Sequence, residues 1–141
     1  VIRDLGDGYE LDYDPARIDV AAVHRYIAEE SYWAPGRPYE VMQTMIREAH
    51  RVVGLYHHGD LIGFCRAARC SPGVMYLADV YVLDTHRGRG LGVELVREMV
   101  ERGPLRDSRW LLTTTDAHSL YRKLGFTDPS VKVLERTPSQ G

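Results

Sequence analysis

Apolar residues recur along this chain with two different periods, and the changes from one to the other divide it into elements. Gly8 to Tyr13 alternates weakly, as a short first strand does. Val20, Val23 and Ile27, with Tyr26 beside them, share one helical face, and Asp19 stands where that helix needs a cap. The helix gives way at Ser31-Tyr32-Trp33-Ala34-Pro35-Gly36-Arg37-Pro38. A second helix, Tyr39 to Ala49, is expected to turn Val41, Met45 and Ile46 inward. Val52 to Tyr56 and Leu61 to Ala67 read as a hairpin turned by His57-His58-Gly59-Asp60, whose two histidines are expected in solvent. Ser71-Pro72-Gly73 leads into a long strand, Val74 to Leu83. Leu91, Leu95 and Met99, with Val96 and Val100 alongside, mark a helix to about Glu101, ended by Gly103-Pro104. Trp110 to Thr114 reads as a fifth strand, and Ala117 to Leu124 as a short helix capped by Asp116 and stopped by Gly125. Phe126 and Val131-Lys132-Val133-Leu134 suggest closing strands, and Arg136 to Gly141 reads as a disordered tail.

The resulting order, β-α-α-β-β-β-α-β-α-β, predicts an α/β protein of the α+β kind: a mixed, mostly antiparallel central sheet with helices on both faces. Residues 1–135 are expected to form one domain. Three consecutive antiparallel strands, and a glycine motif after the fourth strand, are unlike a dinucleotide-binding fold, which carries its glycines after the first.

Composition narrows the partners. The 141 residues suffice for one sizeable core. A net charge of −2 gives no bulk electrostatic case for nucleic acid or an anionic membrane surface, so basic residues near the glycines point to a local anion. No stretch approaches a spanning length of apolar residues. Cys65 and Cys70 lie in or beside one strand, too close for a disulfide along it, and read as small buried hydrophobes in a reducing, cytoplasmic setting. No spacing of His, Cys and carboxylates resembles a metal site. The chain begins at Val1 and not at Met, which leaves a preceding segment open.

Chemistry concentrates at Arg87-Gly88-Arg89-Gly90-Leu91-Gly92, which joins a strand to a helix. A glycine-rich turn opening a helix leaves backbone N–H groups unpaired at the positive end of the helix dipole, a setting that favours phosphate. Two arginines add charge-assisted donors. The stretch reads as a diphosphate cradle.

Asp79-Val80-Tyr81-Val82 followed by Arg87 to Gly92 resembles the [Gln/Arg]-x-x-Gly-x-[Gly/Ala] motif of the GNAT superfamily, the acetyl-coenzyme-A-dependent N-acetyltransferases. Leu120-Tyr121-Arg122-Lys123-Leu124-Gly125-Phe126 is similar to that family's second signature, Leu-Tyr-x-x-x-Gly-Phe. The resemblance implies acetyl-CoA as cofactor, its diphosphate on the backbone of Gly88, Arg89, Gly90, Leu91 and Gly92, with Arg87 and Arg89 as counter-charges. Gly90 and Gly92 would leave room between backbone and phosphate. The pantetheine arm would pair with Val80, Tyr81 and Val82 along a strand edge opened by a splay, and Thr114 would bond it. A backbone N–H there would also polarise the thioester carbonyl.

Acetyl transfer to an amine requires a neutral amine, a stabilised oxyanion and a protonated leaving thiolate. By the resemblance Tyr121 is the proton donor to the sulfur; a phenol, with a pKa near ~10, is mostly protonated at neutral pH. Asp79 matches an acidic residue of the polyamine-acetylating branch, but Ala78 stands where that branch has a glutamate. Asp79 therefore either holds an ammonium group or relays its proton through water, or else pairs with an arginine to organise the sheet. His118, three residues before Tyr121, shares its helix face and is a candidate base, unless it bonds locally in the first turn. Tyr32, Trp33 and Arg37 are candidate acceptor contacts: the aromatics as a flat wall or cation–π surface, the arginine for a carboxylate or phosphate. Trp33 equally suits a plug at the core edge. The expected acceptor is a small-molecule primary amine; a protein N-terminus or lysine, and a non-catalytic acyl-CoA-binding domain, are the alternatives. A homodimer is left open.

Overall fold

A computed structural model describes residues 1–115 and 118–139, with His118 described by its backbone alone. Its six strands are β1 (Arg3–Gly6), β2 (Tyr9–Asp12), β3 (Arg51–His57), β4 (Asp60–Ser71), β5 (Val74–Val82) and β6 (Arg109–Leu111). They lie in one sheet in chain order, antiparallel throughout except for the parallel pair β5 and β6. The helices are α1 (Val20–Glu30), α2 (Tyr39–Glu48), α3 (Leu91–Val100) and α4 (His118–Arg122).

The central strands are apolar without interruption because both of their faces are covered. Val52, Phe64 and Tyr81 join Val23, Ile27, Met42 and Ile46 beneath α1 and α2. Val53, Cys65 and Val82, one residue along, join Leu95, Val96 and Met99 beneath α3. The expected arrangement of a mixed sheet between two helical layers is what forms. Among the described residues no helix is long and apolar enough to cross a membrane.

Local chemistry explains the turns. The two residues between β3 and β4, His58 and Gly59, both have positive φ (49° and 88°), the requirement of a two-residue type I′ hairpin loop. The Asp19 carboxylate accepts from the Ala22 N–H at 3.1 Å and so caps α1.

Several expectations are corrected. The first strand, Gly8 to Tyr13, is the second half of a hairpin; β1 precedes it across Gly6-Asp7-Gly8, all three at positive φ. The glycine motif accordingly follows the fifth strand and not the fourth. In α2 Ile46 is buried as expected and Met45 is half-buried, but Met42 and not Val41 completes the buried face, with Val41 exposed. His57 is half-buried, with its ring stacked on Tyr9 at 4.2 Å; only His58 faces solvent. Cys65 is buried but Cys70 is exposed near the end of β4, and both are free. The closing strands do not form among the described residues. Val131, Val133 and Leu134 are exposed, and the edge they would join, β6, offers a ladder of three residues. Asp116 and Ala117, the expected cap and start of the last helix, lie outside the described residues, as does the His118 side chain.

Candidate active site

The sheet opens where β5 and β6 part. Their parallel ladder joins Val74–Tyr76 to Arg109–Leu111, and beyond Tyr76 no pairing continues among the described residues. Within β5 a bulge sets in at the same level: Arg66 faces Ala78 and Phe64 faces Tyr81, so Cys65 alone opposes Asp79 and Val80. Asp79 occupies the left-handed region at φ 55°, which Asp tolerates better than most residues. A bulge increases local twist. It turns the second half of β5 away from β6 and exposes a strand edge. The Tyr76 hydroxyl, 2.7 Å from Thr113 Oγ1, closes the base of the split.

A cleft of about 990 Å³ follows this edge. Val80, Tyr81 and Val82 form its floor; Thr114, Leu120 and Tyr121 line one wall; Tyr26, Glu30, Tyr32 and Trp33 line the other. Past the C-terminal end of β5 lies the N-terminus of α3. Gly88 and Gly90 sit there at φ 83° and 75°, and no side chain caps the helix. Its first N–H groups are therefore open to an anion. A Cβ at Gly90 would meet nothing within 4 Å, so φ is what demands glycine there. At Gly92 a Cβ would come within 2.9 Å of Leu120, so this glycine seats α4 against α3. The dimensions and the donors suit an extended acyl-CoA.

The two arginines of the turn divide the work differently. Arg87 donates from Nε to the Val82 carbonyl at 3.0 Å and from a terminal nitrogen to the Tyr26 hydroxyl at 3.0 Å, and pairs with Asp84 at 2.9 Å. It splints the end of β5 to α1. Arg89 is exposed, its guanidinium 5.9 Å from the Tyr9 ring. Tyr26 stacks on Tyr81 with centroids 3.9 Å apart. Burial raises the Tyr26 phenol above its usual range against the opposing charge of Arg87, and burial drives Tyr81 far higher.

Asp79 is the most heavily bonded group in the cleft. Its Oδ1 accepts the Trp33 indole N–H at 2.9 Å, and its Oδ2 accepts Arg37 at 2.8 Å and Arg66 at 2.6 Å. Burial pushes this carboxyl upward, but the Arg66 charge and the hydrogen bonds from Arg37, Arg66 and Trp33 outweigh it and hold it below the usual carboxylate range. Trp33 thus anchors by its indole nitrogen while its ring remains partly exposed. The loop is held further by the Thr115 N–H, which donates to the Tyr32 hydroxyl at 3.4 Å across the cleft.

The structure brings together Tyr32, Trp33, Arg37, Asp79 to Val82, Thr114 and Tyr121 on one cavity, with Arg87, Gly88 and Gly90 to Gly92. The Tyr121 ring meets Phe126 edge-on at 5.8 Å. Sequence reasoning missed Arg66, Glu30 and Tyr26. Arg66 carried a readable signal: it and Asp79 are opposite charges, each inside an apolar strand, and buried charges seek partners. Glu30, the last residue of an amphipathic helix, carried none.

A sequence model described as the acetyltransferase (GNAT) family matches residues 16–126. A candidate acetyltransferase of Gibberella zeae is 25% identical over 142 residues, covering 85% of this chain and 80% of that protein. A GNAT-family protein of Xanthomonas campestris pv. campestris has the same fold, with a TM-score of 0.81, 29% identity, and coverage of 92% and 93%. A GNAT acetyltransferase of Brucella melitensis, crystallised with acetyl-CoA, superimposes with a TM-score of 0.70 at 17% identity, covering 87% of this chain and 85% of its own.

Proposed function

Because the chain belongs to the GNAT family of acetyltransferases, we propose that it transfers an acetyl group from acetyl-CoA to a primary amine of a small molecule, by direct attack within a ternary complex. The observation that carries this reading is the shared cleft: one cavity joins the open α3 N-terminus, the unpaired edge of β5, Tyr121 and the aromatic wall of the α1–α2 loop. The donor supplies an activated acetyl thioester. The backbone N–H groups from Gly88 to Gly92, in the turn and first residues of α3, hold its diphosphate, aided by Arg89, and the edge from Val80 to Val82 orients its arm.

The new bond joins the amine nitrogen to the acetyl carbon as the carbon–sulfur bond breaks. Tyr121 gives its phenolic proton to the departing sulfur. The amine proton leaves toward Glu30 through water: Glu30 lines the wall and makes no ion pair among the described residues. Asp79 is unsuited to that task. Three donors occupy its oxygens, and a carboxyl held below its usual range is a poor proton acceptor. It positions the loop instead. The bridge from Tyr32 to Thr115 crosses the cleft and favours a compact acceptor over a peptide laid along it. Two free cysteines accord with a cytoplasmic setting.

Tyr121→Phe tests the mechanism. It is expected to lower kcat by about tenfold or more, with little change in coenzyme affinity, the range of a lost general acid. Unchanged turnover removes Tyr121 from the chemistry.

A further inference from the structure

Two guanidinium groups meet on one carboxylate at the acceptor end of the cleft, and the charge there does not balance. Arg37 and Arg66 both bond Oδ2 of Asp79, whose side chain is 1% exposed; each arginine side chain is 12% exposed. Neither has a second acidic partner among the described residues. Glu30, the other carboxylate on that part of the wall, is exposed and pairs with neither.

The donors do not balance either. A guanidinium offers five N–H groups in a planar fork. Arg37 uses its share on Asp79 and on the Met42 sulfur at 3.4 Å, and Arg66 on Asp79 and on the Met45 sulfur at 3.7 Å. Thioethers are weak acceptors. The remaining donors have no partner among the described residues, yet both side chains line the cleft. A structural ion pair would need one arginine. The second guanidinium leaves donors open to the cleft, where an anion takes the place of water.

We propose that the acceptor amine also carries an anionic group, a carboxylate or a phosphate, and that Arg66 with Arg37 holds that group at the bulge of β5. Arg66 is then the residue that sets specificity. This rests on the acetyl-transfer reading of the same cleft. The anion site is separate from the α3 N-terminus, which lies past the end of β5 and serves the donor.

The test uses the full chain, acetyl-CoA and matched amines, with thiol release as the readout. Amino acids against their amides form the carboxylate arm, and aminoalkyl phosphates against the corresponding amino alcohols form the phosphate arm. In one arm the anionic member is expected to have a kcat/KM about tenfold or more above its neutral partner, chiefly through KM, the scale of a charged hydrogen bond. That arm identifies the group. Arg66→Met leaves Asp79 paired with Arg37 and should bring the ratio toward one, while Arg66→Lys should restore part of it. Parity in the parent enzyme overturns the inference and leaves acetyl transfer standing. An equal fall for both members in Arg66→Met, with the ratio kept, also overturns it, since that marks a structural role. No thiol release with any amine overturns the acetyl-transfer reading and this inference with it.

Discussion

At position 79 the strand continues with a charge in place of an apolar side chain, and with a backbone turned into the left-handed region. Both departures hold because the neighbouring residues fix them. Three donors from the α1–α2 loop and β4 close on one carboxylate. Removing its charge leaves two arginines converging on a neutral group with no anion between them. Asp79→Asn is therefore expected to destabilise the fold by about 3–5 kcal/mol, the cost of breaking a buried ion pair on one side, measured by urea unfolding. Acid provides a second readout. The folded protein holds this carboxyl below its unfolded range, so its stabilising contribution is complete above about pH 4. It is lost as pH falls further, through the folded value. Stability followed from pH 5 downward should decline less steeply in Asp79→Asn than in the parent; parallel curves would show that Asp79 does not contribute to the acid limb.

Among the elements, the start of α3 shows what was legible in sequence. The glycines of Arg87 to Gly92 marked the turn and its anion-binding character. Their division of labour was not legible. Gly90 is favoured by φ, while Gly92 leaves room for the tip of the Leu120 side chain, a contact 28 positions away that no local pattern encodes. Gly90→Ala places a Cβ in a left-handed conformation, costing roughly 1 kcal/mol. It is expected to lower both stability and coenzyme affinity, and Gly90→Asn, better tolerated there, should recover much of each. Equal affinity across all three proteins, by calorimetric titration, would mean that the backbone geometry of this turn does not govern binding. The same contrast runs through the sheet. Periodicity revealed β3, β4 and β5, whose two faces are buried, whereas β1 escaped notice because only the Asp7-Gly8 turn announces it. Val131 to Leu134 had the alternation of a strand but no ladder to join, and pairing is a tertiary matter. Arg37 was legible as an anion ligand by type. That Asp79 occupies one of its nitrogens, leaving the rest for the cleft, required the fold.

Across the whole molecule, the cleft runs where the sheet splits, between the layer beneath α1 and α2 and the layer beneath α3. A ligand lying in it touches both. Coenzyme A at about a hundred times its Kd should stabilise the folded state by about 2.7 kcal/mol, a rise of several degrees in Tm for a domain of this size. Rising salt should weaken the effect, because part of the attraction is charge on phosphate. A melting temperature indifferent to the coenzyme would contradict the assignment of the cleft. The cluster at Asp79 has a reach of another kind. Its members come from a loop, from β4 and from β5, so a single codon change at 79 strands two arginines at once, whereas a change at 37 or 66 leaves one pair standing. Lineages that remodel this acceptor site are expected to vary at 37 or 66 before they vary at 79, and a lone loss of the carboxylate should be rare among descendants that still fold.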